Sequence, residues 1–298
     1  MTETAKGVGA IILACTIWGL SGLFYKLLAG LPVLDILAHR TLWGAVFFLL
    51  VLGVQGRVGA PLRVLRGRGT FRILAGASVL IALNWMLFVW AIKSGQALEA
   101  SLGYYIFPLV AVLFGLLFFG ERLRRAEALA VLLAALAVAV LTAGLGVAPW
   151  IALSIAASFG AYGALKKHLD VGPVVSVTAE SLLLATPALA WLVWSAVQGG
   201  AVMGGSWALA LTLMLAGPMT ATPLILFSYG ARRIDLASVG VLSYLNPSLQ
   251  FAVAVLIFAE AFTGWHMVAF AMIWTALALY SLARWRYRPV APRPSIRS

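Results

Sequence analysis

The sequence predicts an all-α integral membrane protein with ten transmembrane helices arranged as two inverted five-helix repeats. Three observations carry the prediction. First, the 298 residues are 63% hydrophobic and only 10% charged, with a mean hydropathy of +1.03, far from the balance of a soluble domain. Second, basic residues crowd alternate connections between the apolar stretches. Third, one unusual layout occurs twice, about 139 positions apart. Tyr105-Ile106-Phe107-Pro108 leads to Glu121, and Tyr244-Leu245-Asn246-Pro247 leads to Glu260.

The spans follow in order from apolar stretches of about 20 residues, the length that crosses a ~30 Å hydrocarbon core. The first, 7–28, holds the single cysteine, Cys15, and ends on Lys26. It is too long for the core of a signal peptide and reads as an uncleaved first span. The second, 35–54, carries His39 and Arg40, and a basic, glycine-containing connection over 55–70 follows it. Spans 71–93 and 97–119 carry Asn84-Trp85 and Pro108, and 126–143 is nearly free of polar groups. The second set comprises 149–165, 175–196 with Glu180, 207–230, 236–258 with Pro247, and 264–284. The organisation is therefore a first repeat over 1–145, a second over 146–285 and a basic tail over 286–298. No room is left for a soluble catalytic domain.

The net charge of +12 reports topology. All of the 21 basic residues except Lys26, Arg40 and Lys93 fall on one side of this span arrangement, from Lys6 and the 57–72 connection to the tail. Such asymmetry places both termini in the cytoplasm of a bacterial inner membrane. The basic runs lack the stacking aromatics of a nucleic-acid surface, so no nucleic acid is expected as a partner.

The two sets of five correspond residue by residue. Trp18-Gly19-Leu20-Ser21-Gly22 aligns with Phe159-Gly160-Ala161-Tyr162-Gly163 at an offset of 141, which pairs Lys26 with Lys167 and His39 with Glu180. At 139, Asn84 falls on Pro223, Trp90-Ala91 on Tyr229-Gly230 and Lys93 on Arg232. Five is odd, so the second copy enters the membrane inverted. Proline inside a lipid-buried helix removes a donor that water cannot replace. Such interruptions at matching places in two halves point to a midplane binding site in a carrier that opens alternately to either side. The sequence thus predicts breaks at Pro108 and Pro247.

Several blocks resemble the RarD family, a group of EamA-type members of the drug/metabolite transporter superfamily. They are Asn84-Trp85-Met86-Leu87-Phe88-Val89-Trp90-Ala91, Glu99-Ala100-Ser101-Leu102-Gly103-Tyr104, Gly120-Glu121-Arg122, His39-Arg40, and Tyr162-Gly163 before a basic pair. The similarity spans about 7–285, and it implies ten helices in inverted repeats and secondary transport of small molecules. One departure is Phe107, where the family commonly has asparagine before the first proline; Asn246 keeps it in the second repeat.

Polar residues within the spans nominate a path. Ser154, Ser158, Tyr162 and Lys166 recur every four residues on one helical face. Ser243, Asn246 and Gln250 flank Pro247. Trp18, Arg40, Asn84, Trp85, Trp90, Ser101, Tyr104 and Tyr105 complete the substrate-path candidates, with aromatic walls and a few orienting polar groups. Arg40 and Glu180 each lie about five residues inside their spans, where an unpaired charge costs about 2.5–3.5 kcal/mol; a structural ion pair is the alternative. His39, Glu99 and Glu180 are candidates for proton coupling. Glu121 and Glu260 read as anchors at the membrane edge. Gly19, Gly22, Gly160 and Gly163 read as close helix contacts, and Trp150, Trp207 and Trp265 as an interfacial belt.

Three function classes compete. An intramembrane enzyme needs a metal cluster, a nucleophile–base pair or an acidic dyad. The three histidines (39, 168 and 266) lie on different spans or at span ends, and no HExxH, GxSxG or P-loop occurs. No catalytic residue, metal or cofactor is therefore expected. A non-coupled channel or scaffold stays open. A secondary transporter of a small amphipathic or aromatic metabolite or drug accounts best for the duplication. Its partners would be that substrate and the lipid bilayer, and a homo-oligomer is compatible with it.

Overall fold

Each predicted span folds as helix, as an apolar chain must when lipid offers its backbone no hydrogen bonds. In the computed structural model, residues 2–120, 125–167, 169–200 and 206–286 are described. We label the long helices α1 (Glu3–Leu27), α2 (Val33–Val54), α3 (Arg68–Ser94), α4 (Ala97–Phe119), α5 (Arg125–Leu145), α6 (Trp150–Lys166), α7 (Pro173–Val197), α8 (Trp207–Ala231), α9 and α10 (Gly264–Arg286). Helix α9 is segmented into Leu236–Ser243, Leu245–Ala252 and a π-helical stretch, Val253–Ile257. A short helix, Ala60–Leu65, sits in the basic connection after α2. Glu121, Arg122, Arg124, His168 and the tail beyond 286 lie outside the described residues.

Among the described residues, nine helices are long and apolar enough to cross a membrane. Helix α6, at 17 residues, rises about 25 Å, just under the ~30 Å of a hydrocarbon core. It packs against α3 and α4, and Ile151, Ala152, Ile155 and Ala156 along it are fully buried.

Packing follows the repeat. Helix α1 packs on α8 and α9, and its repeat mate α6 packs on α3 and α4. The contact of α2 with α8 is matched by that of α7 with α3, while α2–α7, α4–α9 and α5–α10 are pairs of mates. Exchanging the two halves therefore turns each of these packed pairs into another. Glycines repeat the pattern at atomic scale. A Cβ on Gly19 would meet the Leu249 Cβ at 2.6 Å, and one on Gly160 would meet the Val110 Cγ1 at 3.2 Å; Val110 and Leu249 are mates at the offset of 139. Small residues at these points let the helix backbones approach. Gly163 departs from the expectation: no atom lies within 4 Å of the position its Cβ would take, so it makes no close helix contact.

The two prolines behave differently from the symmetric break expected. Helix α4 runs unbroken through Pro108. Helix α9 turns at Tyr244, three residues before Pro247, and then widens into its π-helical segment. Side chains add bonds around the break: the Ser248 hydroxyl donates to the Tyr244 carbonyl (2.7 Å) and Ser101, on α4, donates to the Pro247 carbonyl (3.0 Å). A lipid-buried break persists where neighbouring groups satisfy its backbone, and Ser101 of α4 supplies one such group beside Pro247. Trp150, Trp207 and Trp265 are exposed, as an interfacial belt requires.

Candidate functional site

A column of aromatic rings runs through α1, α3, α4 and α6. Tyr25 meets Phe88 edge-on (centroids 6.0 Å), Phe88 meets Tyr104 (6.0 Å), Tyr104 meets Phe159 (6.0 Å), and Phe159 stacks on Tyr162 at 5.9 Å and 9°. Edge-to-face pairs at these separations suit the ring quadrupoles. Arg40 stands at one end of the column and Glu180 at the other.

Arg40, on α2, is 7% exposed. Its guanidinium carbon lies 4.1 Å from the Trp85 ring centroid and 5.6 Å from that of Tyr25. Among the described residues no acceptor meets it beyond these cation–π contacts, and its Nε is sealed from solvent. One helical turn earlier, Asp35 is buried and already engaged, accepting from Trp191 Nε1 (2.7 Å) and Ser195 (3.5 Å) across on α7. His39, also on α2, is buried with Nε2 unpartnered. Asp35 was not among the residues expected from the sequence; its position one turn before His39 on the same face is the signal that marked it.

Midway along the column, Asn84 on α3 donates to the Ile155 carbonyl (3.0 Å) and Ser158 Oγ (3.1 Å) on α6, and accepts from the Tyr104 hydroxyl (3.0 Å) on α4. Three helices are thus tied through one buried amide, which uses both its donor and its acceptor groups.

At the far end, Glu180 on α7 is 2% exposed and fully served. Lys166 Nζ donates to Oε1 at 2.7 Å, Ser176 to the same oxygen at 2.9 Å, and the Tyr162 hydroxyl to Oε2 at 3.0 Å. Lys166 also donates to the Tyr162 oxygen (2.8 Å). Here the structural ion pair weighed in the sequence is present.

The remaining candidates lie elsewhere. Trp18 on α1 approaches Phe227 on α8 at 5.7 Å. Trp90 packs on Trp150 (5.4 Å), an exposed belt residue. Tyr105 shares a hydrogen bond with Ser248 (2.7 Å) and packs on Phe270 and Trp274 of α10, away from the column. Ser101 serves the α9 break, and Ser243 bonds back to the Val239 carbonyl of its own helix. Gln250 donates to Asn246 (2.9 Å) and leaves its own Oε1 buried without a partner. Glu99 lies against the first N–H groups of α6, at Ile151 and Ala152. Glu260 accepts the Ala97 and Leu98 N–H groups, each at 2.7 Å, and so caps α4. Two clefts open elsewhere, neither lined by a ring of the column. One of about 310 Å³ is lined by Arg57, Ser228 and Arg232 at the arginine-rich end. The other, about 750 Å³, opens beside Phe24, Lys26 and Phe258 at the arginine-poor end.

Comparison with known proteins agrees with this architecture. Residues 5–143 match the EamA-like transporter family. The uncharacterized transporter YojE of Bacillus subtilis is 41% identical over 96% of this chain and 97% of its own. Protein RarD of Escherichia coli is 36% identical over 93% of this chain and 94% of its own. One solved crystal structure superposes with a TM-score of 0.63 over 95% of this chain and 98% of its own, at 20% identity, which speaks to the fold alone. With full-length relatives at this identity and the same helical bundle, the chain belongs to the RarD family of EamA-type transporters.

Proposed function

We propose that the protein is a secondary active transporter that exports a small amphipathic or aromatic metabolite or drug across the bacterial inner membrane by alternating access. The observation that carries this reading is the aromatic column, which runs across four helices from Arg40 to Glu180. Rocking one five-helix repeat (1–145) against the other (146–285) would open it to one side at a time. Arg40, Asn84, Trp85, Tyr104, Ser158 and Tyr162 form the substrate path along this column, and Trp18, Asn246 and Gln250 extend it beyond the column. Helices α5 and α10, which pack mainly on each other, stand outside it. Both termini are cytoplasmic, as the basic connections argue.

Transport is coupled to protons or to exchange. His39 and Glu180 occupy repeat-related positions, and both are buried and titratable; with Glu99 they are the proton carriers. An untargeted metabolite comparison of cells lacking and overproducing the protein supplies the substrate. Uptake into proteoliposomes then tests coupling. A pH gradient is expected to drive flux in the native protein and to lose its effect in His39→Ala or Glu180→Gln. Flux indifferent to the gradient and to both substitutions would exclude proton coupling through them.

A further inference from the structure

The nine carboxylates of the chain leave Arg40 without a counterion among the described residues. Asp35 serves Trp191 and Ser195, Glu180 serves Lys166, and Glu260 caps α4. Glu99 lies against the start of α6, Glu3 pairs with Lys6 and Arg233, and Asp235 caps α9. Glu127 sits on α5, Asp170 lies in the connection after α6, and neither pairs with Arg40; Glu121 lies outside the described residues. A guanidinium carries five donors in a planar fork shaped for a carboxylate. Here that fork is more than nine-tenths buried, is held only by ring faces, and forms no hydrogen bond. Its Nε is sealed from solvent without an acceptor, so among the described residues nothing supplies the anion that this fork is shaped to hold.

We infer that Arg40 is the docking point for a carboxylate, and that the substrates are small amphipathic organic monocarboxylates. This rests on the transporter reading above and deepens it. One buried cation matches one anionic charge, since a buried charge is tolerated when it is paired and bonded. A phosphate ester would bring a second charge, which the single guanidinium of Arg40 does not match. Lys93 donates to the Leu31 carbonyl, and Lys26 lies over the Phe258 ring. The column beginning at Tyr25 and Phe88 offers the apolar body a surface of ring faces and edges. A bidentate pairing would use the Nη edge, while Trp85 holds the guanidinium plane in place.

Matched probes test this on the purified full chain. 3-Phenylpropionate and indole-3-propionate are compared with their neutral amides by tryptophan fluorescence titration. Each carboxylate is expected to bind at least ~10-fold more tightly than its amide. Arg40→Gln should erase that ratio while amide binding persists, which also reports that the variant is folded. Arg40→Lys should keep the preference in reduced form. Equal binding of acid and amide by the native protein overturns the inference, as does an undiminished preference in Arg40→Gln or no binding of any probe. Flux in proteoliposomes separates the two readings. Arg40-dependent binding without flux upholds the carboxylate site and defeats transport, whereas flux of the amides without acid preference does the reverse.

Discussion

Arg40 and Glu180 end the same aromatic column, on helices that are repeat mates, yet one is alone and the other is surrounded. The residue that aligns with Glu180 is His39, and the one that aligns with Lys166 is Tyr25. At the Glu180 end the duplication therefore holds a cation, an anion and two hydroxyls that neutralise one another. At the Arg40 end the same backbone positions hold an imidazole and a phenol, and the guanidinium faces only rings. At these two ends the duplication copies the helix packing but not the charges. The difference leaves one end neutralised within the chain and the other end without a counter-charge among the described residues.

The sharpest way to break this comparison is to remove a cation from each end. Lys166→Met strands a carboxylate that is 2% exposed. Removing one partner of a buried pair costs ~3–5 kcal/mol; the two remaining hydroxyl donors, and the 19% exposure of the lysine side chain, place the expected loss near ~3 kcal/mol. Arg40→Gln strands no carboxylate, so its change in stability should stay within about 1 kcal/mol of zero. Denaturant unfolding of both variants in detergent measures the contrast. Equal losses would show that Arg40 has a structural partner after all.

How much of this was legible in the sequence follows the same division. Helix positions came through because lipid admits few alternatives: an apolar run of about 20 residues must become helix. The matched packing of Gly19 and Gly160 agrees with the repeat read from the sequence, since both stand at contacts where a side chain would crowd a neighbour. Pairings across helices did not come through. Nothing in the spacing of Tyr105 told that its hydroxyl meets Ser248 on α9, or that its ring faces α10. Nor did Glu260 reveal that its carboxylate caps α4, since the partner N–H groups lie more than 160 positions away. The symmetric break failed for a related reason. Whether a proline interrupts a helix depends on donors from its neighbours, and Ser101 serves α9 alone.

A second comparison sets the repeat-related glycines against each other. Gly19→Ala drives a Cβ to 2.6 Å from the Leu249 Cβ and 3.0 Å from the Asn246 carbonyl oxygen. Those atoms belong to or adjoin backbone, so α1 and α9 must move apart, and overpacking of this kind costs about 1–3 kcal/mol. Gly160→Ala meets only the Phe114 ring and a Val110 methyl, at 3.1–3.2 Å. These side-chain atoms can yield by a few tenths of an ångström, so a cost below ~1 kcal/mol is expected. Thermal unfolding of the pair should rank Gly19→Ala as the worse by a clear margin. The reverse ranking would mean that α1 rests more loosely on α9 than α6 does on α4.

The smallest effect is expected at Gly163, whose repeat mate Gly22 does approach a neighbour, at 3.2 Å from Ile92. Gly163 lies one helical turn before Lys167 at the end of α6, is exposed, and has open space where a Cβ would stand. Alanine there adds helix propensity without a collision. Glycine in a helix interior costs about 0.8–1 kcal/mol relative to alanine, and proximity to the helix end reduces the gain, so Gly163→Ala should stabilise by ~0.5 kcal/mol. Because Gly163 follows Tyr162 directly, a flux measurement adds a second reading. If the open space beside Gly163 belongs to the passage, alanine raises the melting temperature while slowing transport. If it faces lipid, the melting temperature rises and transport is unchanged. A fall in stability would instead put a neighbour where the structure has none, and would return Gly163 to the close-contact role its sequence pattern first suggested.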